Sequence, residues 1–141
     1  MILYVDTSAL VKLYVEETDS PSVRTWVEAA SAVLTVRIAY AEARAAFARL
    51  RREGALTRPQ LRRLVTHLDE DWSRYSIIEA TESVVRRAGV LAERYALRGY
   101  DAVHLAAALE ARGPGGAVTF ACFDAKLGRA ARQEGLEIPG G

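Results

Sequence analysis

Short apolar runs alternate with longer, helix-periodic segments along this chain, and that alternation sharply restricts the folds open to it. The runs fall at 2–5, 32–35, 76–78, 117–121 and 136–138. The segments between them carry helix punctuation. Asp19-Ser20-Pro21 reads as an N-cap followed by proline in the first turn, and Thr35 as the cap of a helix that stops at Gly54. Thr57 with Pro59 opens the next helix, Thr81 another that stops at Gly99, Asp101 one that stops at Gly113, and Asp124 the last. Strands alternating with helices join by right-handed crossovers into a mostly parallel sheet with helices on both faces. The first run has neither polar alternation nor charge, as a doubly covered strand should. The expectation is one α/β domain over residues 1–141, with a three-layer α/β/α arrangement of about five strands and about seven helices.

Size and composition agree. A chain of 141 residues, 50% hydrophobic and 26% charged, can bury its own core without staples. Its single cysteine, Cys122, excludes an internal disulfide and makes a reducing cytoplasm the simplest compartment. The opening MILYVDTSALVKLYV is interrupted by Asp6 and Lys12, so it reads as a strand entering a helix, neither a signal peptide nor a membrane span.

Net charge is only +1, but its distribution is uneven. Residues 37–63 hold eight arginines against Glu42 and Glu53, whereas residues 64–82 hold Arg74 against five acids. Arginine forks phosphate oxygens bidentately, so the basic stretch suits a phosphate backbone; it equally suits the solvated face of two helices. Val36, Tyr40, Ala43, Phe47 and Leu50 form a core-facing stripe on the helix expected there. Glu42 lies off that stripe, yet its neighbours one turn away are Ile38, Ala39, Ala45 and Ala46. That is a partly desolvated setting for an acid.

Of six aspartates, Asp69 and Asp71 sit in an acidic run and Asp19 has a capping role. The other three occupy element junctions: Asp6 in YVDTSAL, Asp101 in RGYDAVHLAAAL and Asp124 in TFACFDAKL. In open α/β sheets ligands bind beyond the carboxyl ends of the strands, which puts Asp6 and Asp124 on one rim. Clustered carboxylates repel, and a divalent cation relieves that conflict. An oxygen-only set suits Mg²⁺ or Mn²⁺, and one cysteine with two distant histidines offers no zinc site. Such a site does chemistry on phosphates. Each acid also has a plain structural role: an Asx-turn for Asp6, N-caps for Asp101 and Asp124, a surface position for Glu42.

Taken together, YVDTSALVKLY, AYAEARAAFARL, YDAVHLAAAL and FACFDAKLGRAA, in this order and spacing, resemble PIN-domain ribonucleases, in particular the VapC toxins of toxin–antitoxin pairs. The resemblance spans nearly the whole chain. It implies that Asp6, Asp101 and Asp124 ligate Mg²⁺ or Mn²⁺, directly or through water, and that Glu42 completes the site. It implies a supporting hydroxyl at Thr7 or Ser8, both of which also suit N-capping of the first helix. Where such proteins often carry Thr or Ser two residues before the last acid, this chain has Cys122. An RNA substrate, a small VapB-like antitoxin covering the site and a homodimer are implied as well.

Weaker signals remain. His104 stands one turn after Asp101 and suits either a hydrogen bond to that carboxylate or to a phosphate, or a packed core position. His67 and Asp71 read as a solvated surface pair, and the scattered Trp and Tyr residues as core or interface. Tyr100 adjoins Asp101, and Arg44 and Arg49 share a helix with Glu42; all three are candidates for contact with RNA or a partner. A flavodoxin-like phosphoacceptor domain needs an acidic pair after the first strand, but Thr7 and Ser8 follow Asp6. The other rival is a non-catalytic binding or scaffold module that keeps the acids as caps.

Overall fold

A computed structural model describes residues 1–140. The elements are β1 (Ile2–Val5), α1 (Thr7–Lys12), α2 (Ser20–Ala29), β2 (Ala32–Val36), α3 (Ala39–Arg52) and α4 (Arg58–Trp72), followed by β3 (Ser76–Ile78), α5 (Glu82–Tyr95), α6 (Gly99–Arg112), β4 (Thr119–Ala121) and α7 (Ala125–Gln133). All strand pairings are parallel and the strand order is β3-β2-β1-β4. The α/β architecture and the seven helices match the sequence expectation; the sheet has four strands where about five were expected. The run at 136–138 pairs with β4 through a single parallel bridge, Thr119 to Glu137. Phe120 N–H donates to the Glu137 carbonyl at 2.7 Å, and Pro139, with no N–H of its own, follows two residues later.

Side chains of a strand alternate between faces, and Leu3, Tyr4 and Val5 are all fully buried. Both faces of the sheet at β1 are therefore covered. Helix α6 is apolar almost all round: Ala102, Leu105, Ala106, Ala107, Ala108 and Leu109 are buried. Its alanines let it pack closely against β2 and α5. No helix among the described residues is long and apolar enough to cross a membrane.

Three expected caps form. Thr57 makes a reciprocal capping box with Gln60, Thr81 accepts from Val84 N–H, and Asp124 accepts from Leu127 N–H. Three expectations are corrected. Thr35 does not cap α3; it is buried in β2, where its hydroxyl donates to the Val5 carbonyl at 2.8 Å. The helix begins four residues later, so Val36 belongs to the strand and the core stripe starts at Tyr40. Asp19 makes no side-chain capping bond; Ser20 Oγ instead accepts from Glu17 N–H at 2.9 Å. Asp101 is not an N-cap, because α6 starts at Gly99 and places it in the first turn.

Strand order positions the site. β1 lies between β2 and β4, and the connections leaving β1 and entering β4 diverge at that boundary. This is the switch point at which open α/β sheets bind ligands. Val5 pairs with Ala121, and Asp6 N–H donates to the Ala121 carbonyl at 3.1 Å. The chain thus enters α1 and α7 side by side.

Candidate active site

Each of the four acids arrives on a different element. Asp6 ends β1 and caps α1, Glu42 lies in the first turn of α3, Asp101 in the first turn of α6, and Asp124 caps α7. All four line one cavity of about 440 Å³, together with Thr7, Ser8 and His104. Lys12, Arg98 and Phe123 also reach it.

The acids share a mode of attachment. Asp6 Oδ1 accepts from Ser8 Oγ at 2.7 Å and from Ala9 N–H at 2.9 Å. Glu42 Oε1 accepts from Thr7 Oγ1 at 2.6 Å and pairs with His104 Nε2 at 3.0 Å. Asp101 Oδ2 accepts from Arg98 Nε at 3.2 Å, and Asp124 Oδ1 from Leu127 N–H at 2.9 Å. In every case one carboxylate oxygen is anchored to the protein. The second receives no hydrogen bond from the described residues.

His104 is packed in the core and also reaches the site, but its carboxylate partner is Glu42 and not the Asp101 one turn before it. The ring is 2% exposed, yet it touches the cavity. Its Nδ1 lies 2.8 Å from the Tyr4 hydroxyl, and its Nε2 faces Glu42 and Thr7 Oγ1, the latter at 3.0 Å. An ionised carboxylate only accepts, so in the neutral ring Nε2 carries the proton toward Glu42. Nδ1 then accepts from Tyr4. Burial holds the Tyr4 hydroxyl well above its ordinary range, with Asp6 and Glu42 adding to the shift, so it stays a donor.

Local environment separates the two acids nearest this network. Burial pushes the Asp6 carboxyl up, and Asp101 adds to that push against the pull of His104, Ala9 N–H and Ser8. Burial also acts to raise Glu42, but hydrogen bonds from His104 and Thr7 outweigh it and hold Glu42 below the usual range.

The donor set fits a hard divalent cation. It is all oxygen, each of the four acids keeps one oxygen unengaged, and with Glu17 five carboxylates line a cavity that holds only two cationic side chains, Lys12 and Arg98. Of those two, Lys12 lies 3.8 Å from Glu17, outside the acid set. The acids face a common space without closing on one point: among the described residues no three His, Cys, Asp or Glu side chains stand close enough to enclose an ion.

Residues 3–133 match the PIN domain family. The chain belongs to the PIN-domain family. This PIN domain is 38% identical over 137 residues to Ribonuclease VapC45 and Ribonuclease VapC49 of two Mycobacterium tuberculosis strains, covering 97% of this chain and 94% of each relative. Its fold is shared with VapBC2 from Rickettsia felis, solved with a promoter DNA fragment, at a TM-score of 0.66 and 16% identity over 98% of this chain and 97% of the other. FitAcB from Neisseria gonorrhoeae gives a TM-score of 0.68 and 19% identity over 98% and 96%. At such identities the likeness to those solved structures is one of fold.

Not every residue singled out in the sequence reaches the cavity. Tyr100 is 66% exposed and does not line it. Arg44 lines a different groove, and Arg49 pairs with Glu53 at 3.5 Å. Cys122 makes only a long Sγ contact, 3.8 Å, to the Asp124 carbonyl, and burial pushes its thiol up to about 12. Tyr4, Lys12 and Arg98 were not foreseen. Arg98 and Lys12 carried a signal, standing one turn from Asp101 and from Ser8; Tyr4 carried none, since it reads as an ordinary strand residue.

Proposed function

We propose that this PIN domain is a divalent-cation-dependent endoribonuclease, the toxin of a VapBC-type pair, hydrolysing RNA phosphodiester bonds. The observation that carries this reading is the convergence of Asp6, Glu42, Asp101 and Asp124 on one cavity, each with one anchored and one unengaged oxygen. The full-length likeness to two ribonucleases supports RNA as the substrate. Asp6, Asp101, Asp124 and Glu42 would hold Mg²⁺ or Mn²⁺. Such a cation neutralises phosphate charge and acidifies water for attack.

The chain's own residues do the positioning. Ser8 and Ala9 N–H fix Asp6, so its second oxygen is presented without rotational freedom. Tyr4 fixes His104, and His104 with Thr7 fixes Glu42 in its ionised form. Arg98 steadies Asp101 and lines the cavity, where its guanidinium can also meet a phosphate oxygen.

In this reading a small antitoxin covers the cavity, the toxin is a homodimer, and both act in the cytoplasm. The test is RNA cleavage by purified protein in Mg²⁺ or Mn²⁺, with EDTA and Asp101→Asn as controls. Loss of at least a hundredfold in rate with either control is expected. Undiminished cleavage by the variant, or cleavage that resists EDTA, would overturn the assignment; so would a protein that cleaves no RNA with metal present.

A further inference from the structure

A second cavity, separate from the acids, lies between α3 and α4. It is a groove of about 700 Å³ lined by Arg44, Arg51, Arg52, Arg58 and Arg62 over a floor of Ala48, Leu61 and Val65. No carboxylate lines it, and none of these five arginines forms an ion pair among the described residues. Seven of the twelve arginines elsewhere in the chain pair with acids: Arg24, Arg37, Arg49, Arg74, Arg86, Arg94 and Arg98. Five like charges left together around one groove cost self-repulsion, and a bound polyanion relieves it.

We infer that this groove docks the RNA backbone away from the bond being cut. The inference rests on the ribonuclease reading and extends it to how the substrate is held. Geometry favours RNA over an acidic protein segment. Glu42 and Ala46 line the acid cavity, whereas Arg44 and Ala48 line the groove. Two residues along a helix correspond to about 200° of rotation, so the two cavities lie on opposite flanks of α3. The outer surface between them carries Ala41 and Ala45, both exposed and both small. A chain leaving the acid cavity therefore crosses a low ridge, one helix of about 10 Å across, before meeting the arginines. A polymer with a charge on every repeat satisfies both ends of that path. The groove also lacks the aromatic anchor typical of a protein-binding hot spot. Guanidinium forks suit non-bridging phosphate oxygens, two bonds to each.

The experiment measures binding of a fluorescein-labelled, mixed-sequence single-stranded RNA to the full chain in EDTA, over a series of salt concentrations. The variant Arg51→Ala/Arg58→Ala/Arg62→Ala is compared with the wild type and with a charge-matched control, Arg86→Ala/Arg87→Ala/Arg132→Ala. Each phosphate contact to a single strand contributes about 0.7 to the slope of log affinity against log salt, so losing three should lower the slope by about 2. The three corresponding Lys substitutions should restore most of the slope, because they keep the charge. A groove variant with the same slope and affinity as the control overturns the inference. So does one that keeps RNA binding while losing affinity for a polyglutamate peptide, which would assign the groove to an acidic protein. Cleavage of the same RNA in Mg²⁺ separates the two readings: intact cleavage with an unchanged slope refutes the groove alone, whereas absent wild-type cleavage refutes the nuclease assignment.

Discussion

Replacing Tyr4 with Phe removes one oxygen and little else, which makes it a sharp test of the His104 network. The Tyr4 ring is fully buried and stacks on Phe120 with centroids 5.3 Å apart, contacts that Phe retains. No cavity of any consequence opens. What is lost is the 2.8 Å bond to His104 Nδ1, leaving that nitrogen buried without a donor. A neutral hydrogen bond contributes about 1 kcal/mol net, and an orphaned buried acceptor adds a penalty of similar size, so the loss should be about 2 kcal/mol. For a domain of this length that corresponds to a fall in Tm of about 8 °C. Differential scanning calorimetry measures it, and nitrogen NMR of the imidazole reads the tautomer independently. In the wild type the proton should sit on Nε2; in the variant that preference should weaken. Cleavage should fall too, because Glu42 loses the support behind its own anchor. A Tm within about 1 °C of wild type, with the tautomer unchanged, would refute the network as described.

Two further outcomes can be measured, one at the acid cavity and one at Glu134. Mg²⁺ or Mn²⁺ should raise the Tm by about 10 °C at a hundred times its dissociation constant, equivalent to about 2.7 kcal/mol, and Asp101→Asn should remove most of that gain; a scaffold that keeps these acids only for structure would show no gain. Glu134, on which burial acts upward, is nevertheless held below its ordinary 4.5 by Tyr95 and Arg94, the latter at 2.9 Å. A depressed carboxylate stabilises the fold above its unfolded pKa, and that contribution fades as pH falls through the folded value. The wild-type Tm should therefore drop faster than that of Glu134→Gln below pH 4.5, and parallel curves there would contradict the pairing.

Much of this arrangement was legible in the residues because local chemistry carried it. The alternation of apolar runs and amphipathic segments announces the parallel sheet, and Thr57, Thr81 and Asp124 mark their helices as short-range capping rules require. The apolar neighbours of Glu42 foretold its half-buried setting, now seen beside Thr7 and His104. Several of the failures depended on distant partners, while those at Asp19 and Asp101 were shifts of a few residues in where a helix begins or who caps it. Thr35 has the composition of a cap, but its hydroxyl finds the Val5 carbonyl across the sheet, a contact no local window contains. Residues 136–138 have strand composition, yet Pro139 cuts their pairing to one bridge. Tyr4 was invisible as a site residue because its partner, His104, is a hundred positions away. The strand order that sets Asp6 beside the end of β4 could be stated only conditionally until β1 and β4 were seen to pair.

Asp6 and Asp124 hold the first turns of α1 and α7 with one carboxylate oxygen each, Oδ1, and leave the other unengaged. In the proposed nuclease, foldedness and reactivity therefore draw on the same two side chains. A descendant that gave up its chemistry would not be free to discard them: exchange for alanine would forfeit about 1 kcal/mol of helix initiation at each position. Asparagine or serine would keep the turn while discarding the charge. Inactive relatives of this fold should therefore be recognisable by polar, uncharged substitutes at these junctions, the trace of a structural debt outliving the reaction.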